Sequence, residues 1–242
     1  SWYDADYDVN DLGFMTRNNI REFRSDTFWY RRSHPPDSFV QASRWEFDAH
    51  WRTTDAGRRL PSWIQLGRHW SYRDGSSLDA YIRPTTSGID DLTTRGGPAF
   101  NLPPQPDARL SFLSRRTDRW RWFTAVSAFR ESPGRTGYQC EISPQFYAGT
   151  DLNFEMDLVY RDSPDWLIWR PDIGKLARHS QRQLQAAFNT NWYPTPKSEF
   201  RIRLQWAGLQ ARGRQALDIG PDGDLLPAAD VVQDFSLSDI AL

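Results

Sequence analysis

Polar and apolar side chains alternate along most of this chain with a period of two. In residues 39–53 the odd positions carry Phe39, Gln41, Ser43, Trp45, Phe47, Ala49 and Trp51. The even positions carry Arg44, Glu46, Asp48, His50 and Arg52. Successive side chains of a strand point to opposite faces, so the segment predicts a strand with one aromatic and one ionisable face. A helix would mix the two sets around its circumference. The pattern returns where Leu152, Phe154, Met156, Leu158 and Tyr160 alternate with Asn153, Glu155, Asp157, Val159 and Arg161. It returns in Leu184, Ala186, Phe188, Thr190 and Trp192, in Phe200, Ile202, Leu204 and Trp206 against Arg201, Arg203 and Gln205, and in Tyr138, Cys140 and Ile142 against Gln139 and Glu141. Weaker copies occupy 60–73, 78–83, 108–115 and 119–131.

Some ten such segments, each near the ~10 residues that cross a bilayer at a tilt, predict an all-β fold. The expected architecture is an antiparallel up-and-down transmembrane β-barrel, here a partial barrel of about 10–11 strands. Short turns are expected at 33–38, 74–75, 116–118, 149–151 and 194–197, and long loops at 84–107, 162–180 and 213–234, so that short links gather at one end and long ones at the other. Pro144 falls inside a strand and removes a ladder donor, so a bulge or a different strand boundary is expected there. Arg68 falls on an apolar face, and 1–19 shows no clear alternation.

Composition sharpens this reading. The chain holds 30 basic and 31 acidic side chains, and its mean hydropathy is −0.73, yet 12 Trp, 14 Phe and 9 Tyr are among its 242 residues. A barrel needs only the outward half of each strand to be apolar, which gives a polar average with an aromatic surplus. Trp45, Phe47, Trp51, Phe154, Leu158, Phe188, Ile202, Leu204 and Trp206 are the candidate lipid-facing residues. Arg44, Glu46, Asp48, His50, Arg52, His69, Glu141, Glu155, Asp157, Arg201 and Arg203 are the candidate lumen-facing ones. Balanced charge without a like-charge block argues against nucleic acid as a partner. One Cys excludes an internal disulfide framework and a Cys-rich zinc site. No run of ~18 apolar residues offers a transmembrane helix. Ser1 is no initiator, so the chain is expected to be processed or cut from something longer.

The search for chemistry yields little. His50 and His69 fall on polar faces of consecutive strands and would need a third ligand, such as Asp48, to hold a metal; a hydrogen-bond network is the more ordinary reading. Neither a metal nor a cofactor is expected, and no catalytic residue is assigned. Carboxylate pairs such as Glu46/Asp48, Glu155/Asp157 and Asp90/Asp91 have a spacing that a glycosidase could use, but any polar strand face offers such pairs. Trp166 and Trp169 read as a membrane-facing strand end or as sugar-stacking rings. Cys140 reads as a lipid-facing or packed residue.

The segment Asp11-Leu12-Gly13-Phe14-Met15-Thr16-Arg17-Asn18-Asn19 resembles a signature of a bacterial outer-membrane β-barrel family of unknown function, whose members carry an N-terminal carbohydrate-binding family-nine-like domain. Glu199-Phe200-Arg201-Ile202-Arg203-Leu204-Gln205-Trp206 and Asp234-Phe235-Ser236-Leu237 are similar to that family's last barrel strands. The resemblance implies that residues 1–242 are the C-terminal part of such a barrel, in the bacterial outer membrane. Its implied partners are outer-membrane lipid, a carbohydrate ligand, the rest of the barrel and the N-terminal domain. Outer-membrane barrels usually finish on a terminal aromatic, whereas this chain stops at Ile240-Ala241-Leu242, so a fragment is expected. Two other readings stay open: a soluble all-β carbohydrate-binding or glycosidase-like domain, whose aromatic faces would meet in a core, and a scaffold that recruits partners through its long loops.

Overall fold

The computed structural model describes residues 2–3, 19–131, 134–195 and 197–241. Among them it contains strands and no helix. In chain order these are β1 (Trp2–Tyr3), β2 (Ile20–Arg31), β3 (Val40–Thr54), β4 (Trp63–Tyr72), β5 (Ser77–Arg83), β6 (Gly88–Asp90), β7 (Phe100–Leu102), β8 (Asp107–Leu113), β9 (Trp120–Arg130), β10 (Thr136–Ala148), β11 (Leu152–Arg170), β12 (Lys175–Thr195), β13 (Ser198–Ile219), β14 (Leu225–Ala228) and β15 (Phe235–Ala241). Thirteen form one antiparallel sheet in which β2, β3, β4, β5, β8, β9, β10, β11, β12 and β13 pair in succession, with β14 and β15 both on β13. The hairpin β6–β7 stands apart. Eleven of the strands (β2–β5, β8–β13 and β15) are seven residues or longer, the upper end of the expected number. The sheet is open: among the described residues no pairing joins the β2 side to the β15 side.

Period-two alternation forces this sheet to have two unlike faces, and the register keeps them unlike from strand to strand. One cross-strand row reads Ser43, Trp70, Leu78, Phe112, Thr124, Ile142, Leu158, Ala186, Trp206 and Ile240. The row one step round the other face reads Arg44, His69, Asp79, Ser111, Ala125, Glu141, Val159, Gln185, Ala207 and Asp239. A one-residue slip in any pair would exchange these faces, so the pattern pins the register.

The links at the two ends differ. At one end, called here the lower end, β2–β3, β4–β5, β8–β9, β10–β11 and β12–β13 are joined by short connections that coincide with the five predicted turns. The upper end carries 84–106, with β6 and β7 inside it. The loops predicted at 162–180 and 213–234 are largely strand instead: β11, β12 and β13 run on for 19, 21 and 22 residues. Their alternation had looked broken because bulges between Ser163 and Trp166 and between Arg178 and His179 shift the register there. The extended ends build a small core, in which wholly buried Phe100, Leu176 and Leu217 pack with Leu102, Leu167, Trp169, Ile219 and Leu225.

Pro144 makes no bulge. Ile142 stays opposite Leu158 and Gln145 opposite Glu155. The Tyr147 N–H bonds the Arg119 carbonyl on the β9 side, so the even-numbered amides of β10, Pro144 among them, face β11. The β10–β11 ladder accordingly drops its pairing at Ser143 and Pro144 without a change of register.

Candidate functional site

All nine candidate lipid-facing residues lie on one face of the sheet. Trp45, Phe47 and Trp51 come from β3, Phe154 and Leu158 from β11, Phe188 from β12, and Ile202, Leu204 and Trp206 from β13. Trp45, Phe47, Trp51, Phe188, Ile202 and Leu204 are exposed; Phe154, Leu158 and Trp206 are half-buried by neighbours on the same face. No second sheet covers this face among the described residues. Among the described residues nine hydrophobic residues are buried and thirty-three large hydrophobic side chains are exposed. The accessible surface is 15503 Å², against roughly 11,000 Å² for a compact protein of this mass.

The apolar face has two aromatic margins. Along the lower one, Trp120 lies 4.7 Å from Phe146, Phe146 lies 6.2 Å from Phe154, and Trp192 lies 5.6 Å from Phe200, centroid to centroid. Phe23, Trp51, Tyr138 and Tyr160 stand toward the upper end. Just above Tyr160 and Leu184 the same face turns ionic, with Arg182 3.4 Å from Asp162. On β11 the apolar stretch from Leu152 to Tyr160 is ~26 Å along the strand at ~3.3 Å per residue.

The eleven candidate lumen-facing residues share the opposite, ionisable face. Arg44, Glu46, Asp48, His50 and Arg52 lie on β3, His69 on β4, Glu141 on β10, Glu155 and Asp157 on β11, and Arg201 and Arg203 on β13. They do not form one cluster. His50 Nε2 meets Glu22 at 2.9 Å, and His69 Nδ1 meets Asp79 at 2.6 Å. His50 sits opposite Trp63 and His69 opposite Arg44, six positions apart on β4, so the two imidazoles do not share a metal. No group of three metal-ligating side chains occurs among the described residues. Glu46 and Asp48 share the Gln65 amide, and Glu155 accepts from Gln145 at 2.8 Å. Trp166, half-buried, packs with His179 and Phe235, and half-buried Trp169 packs against the Phe100 core. Cys140 is exposed on the apolar face, opposite Val126 and Tyr160.

What the fold does gather is arginine. A recess of about 530 Å³ opens on the ionisable face below the 84–106 connection, lined by Arg52, Arg83, Arg109, Arg130 and Arg161 together with Trp63, Tyr81 and Phe129. Arg52, Arg83, Arg109 and Arg161 lie on the ionisable side of four strands, whereas Arg130, next to Phe129 on β9, falls by alternation on the aromatic side. Arg83 makes a two-pronged bond to Asp107 (2.6 and 3.1 Å), Arg109 bonds Glu141 at 2.6 Å, and Arg161 bonds Glu131 at 2.5 Å. Aromatic rings brace the cations, Phe129 4.1 Å from Arg161 and Trp63 5.0 Å from Arg52. Gly137 lets Phe129 lie flat, because a Cβ there would stand 2.7 Å from the ring. Arg52 spends its Nε and Nη2 hydrogens on the Pro61 carbonyl. Glu22, opposite Arg52 on β2, bonds His50 and also faces the Arg52 charge. The reading of the sequence named Arg52 and Glu141 but passed over Arg109 and Arg161, because their convergence depends on the register of several strands together.

Comparison of the chain with protein-family models, curated proteins and solved structures finds no match in any of the three. Of the motifs behind the family resemblance, Asp11 to Asn18 lies outside the described residues. The other two lie on β13 and on Asp234 with the start of β15.

Proposed function

We propose that this chain is a segment of an outer-membrane β-barrel, with its aromatic face against lipid and its ionisable face lining an aqueous interior. The observation that carries this reading is the uncovered apolar face, continuous over ten strands and bounded by aromatic margins. On β11 the apolar stretch, Leu152 to Tyr160, has nine residues, within the ~9–11 that cross a bilayer on a tilted strand. The stagger agrees as well. The row that starts beside Trp45 on β3 meets β13 at Trp206, well above the lower-margin Phe200, as strands tilted in a barrel require. In hydrocarbon an unpaired strand edge costs several kcal/mol per group, so the edge of β2 beyond its pairing with β1 at Ile20 and Arg21 and the outer edge of β15 require partners, and further strands of the same barrel fill that role. The handling of a carbohydrate-related ligand, and the bacterial outer membrane as its place, rest on the resemblance of the quoted motifs alone.

The test is insertion of the whole protein into detergent and vesicles. Heat-modifiable migration on a detergent gel supports a barrel. Met156→Arg, placing a charge in the middle of the apolar stretch of β11, is expected to cost about 2–4 kcal/mol of stability in bilayers. Asp157→Arg, next to it on the other face, is expected to cost far less. Equal costs, or a protein that stays monodisperse in water without detergent, would favour the soluble sugar-binding reading.

A further inference from the structure

We propose that the aromatic face, at its upper margin between β11 and β15, holds a phosphate-bearing lipid, with its head on Arg182, Arg212 and Arg214 and its chains in the dent beside Gly208. This rests on the reading of that face as lipid-facing.

Two adjoining recesses carry it. The register aligns Tyr160, Leu184, Gly208 and Ser238 in one row across β11, β12, β13 and β15. Gly208 and Ser238 leave that row shallow, and a recess of about 580 Å³ opens there, walled by Tyr160, Leu184 and Trp206. The Trp206 ring lies along its own strand over Gly208, where a Cβ would stand 2.7 Å from it, and its Nε1–H donates to Ser238 Oγ at 3.0 Å. The next row up on the same face is Asp162, Arg182, Gln210 and Ser236, and the one after it brings Ser180 beside Arg212. Arg182 and Gln210 also border a second recess of about 50 Å³, completed by Ser180, Arg212 and Arg214. Arg214 is the extra residue of the bulge opposite Arg178 and His179. All three arginines are exposed. Charge selects the head. Asp162 lies 3.4 Å from Arg182, whereas Arg212 and Arg214 enter no ion pair among the described residues. Asp234, next to Arg212 by register, accepts from the Gly213 N–H at 2.7 Å. Even with Asp162 and Asp234 both set against the three arginines, one positive charge is left over. Guanidinium forks match phosphate oxygens in geometry as well as charge. Depth selects a lipid. Arg182 stands two residues, about 7 Å, above Leu184 on β12, and a headgroup layer reaches about 5–7 Å beyond the hydrocarbon. A free anion would use the arginines alone. A lipid also fills the dent that runs down from them onto the apolar face.

The experiment places the full protein in phosphatidylcholine bilayers with a trace of spin-labelled phosphatidic acid or, in parallel, of spin-labelled phosphatidylcholine with the same chains. Lipid held at the protein gives an immobilised spectral component. Phosphatidic acid is expected to favour the protein at least threefold over phosphatidylcholine, and the preference to shrink as salt rises. The double variant Arg212→Gln/Arg214→Gln is expected to abolish the preference, and Ser236→Phe, which fills the larger recess, to reduce it at least by half. Arg201→Gln, on the ionisable face, is expected to leave it unchanged. Calorimetric titration of the detergent-solubilised protein with inorganic phosphate is expected to show no saturable binding. Equal immobilisation of the two lipids or an unchanged double variant would overturn the site. Saturable phosphate binding that the double variant abolishes would also overturn it, in favour of a site for free anions. Failure of the membrane reading would show separately, in the same bilayers, as water exposure of Cys140.

Discussion

Arg68 carries a positive charge onto the aromatic face, and its surroundings show how a single residue is reconciled with that face. Its guanidinium stands 4.4 Å from the Trp45 ring centroid and 5.4 Å from that of Trp70, and its Nη2 donates to Ser43 Oγ at 2.9 Å. The charge thus leans toward the lower margin and spends itself on ring faces and a buried hydroxyl, rather than standing bare in the apolar band. Trp45→Leu keeps the side apolar but removes the closest ring. The expected loss is about 1–2 kcal/mol in denaturant titration of the lipid-inserted protein. Arg68→Leu, which removes the charge and the need for the ring together, is expected to change stability by less than that. A larger loss from Arg68→Leu would mean that the arginine holds the sheet through Ser43, not that the tryptophan shelters a charge.

At the scale of elements, strand identity was legible wherever alternation ran unbroken. Residues 39–53, 152–161, 183–192 and 199–206 each became the expected strand, because only an extended chain sorts their apolar and ionisable side chains onto separate faces. The extensions of β11, β12 and β13 were not legible. Pro164, Pro171 and Gly174 read as loop punctuation, and each bulge inserts a residue that reverses the alternation past it. Above the apolar band the hairpins no longer need two contrasting faces, and they bury Leu176 and Leu217 under Phe100 instead. The link from β13 to β15 shows what holds such an extension in place. Gly213 N–H donates to Asp234 Oδ1 at 2.7 Å, and a Cβ on Gly213 would stand 2.0 Å from the Val232 carbonyl oxygen. Gly213→Ala must push 232–234 off β13 and with them the start of β15. The expected cost is about 1–3 kcal/mol, accompanied by new protease cleavage within 229–234. Unchanged cleavage would show that the close approach of these segments is not needed to seat β15.

For the whole molecule, the two-faced sheet was predictable from the sequence and the arginine recess was not. Faces follow from local alternation, whereas the recess needs Arg52, Arg83, Arg109 and Arg161 of four strands brought level by the stagger of the sheet, which no local pattern encodes. Loss of water from the aromatic face is the physical claim on which the rest depends, and the chain supplies its own reporter. Cys140, its single cysteine, lies on that face between Val126 and Tyr160. A nitroxide attached there, in the full protein reconstituted in bilayers, should relax with dissolved oxygen, which concentrates in hydrocarbon, and stay unresponsive to a water-soluble nickel chelate. Relaxation by the nickel chelate with little response to oxygen would place Cys140 in water and contradict the membrane orientation of the sheet.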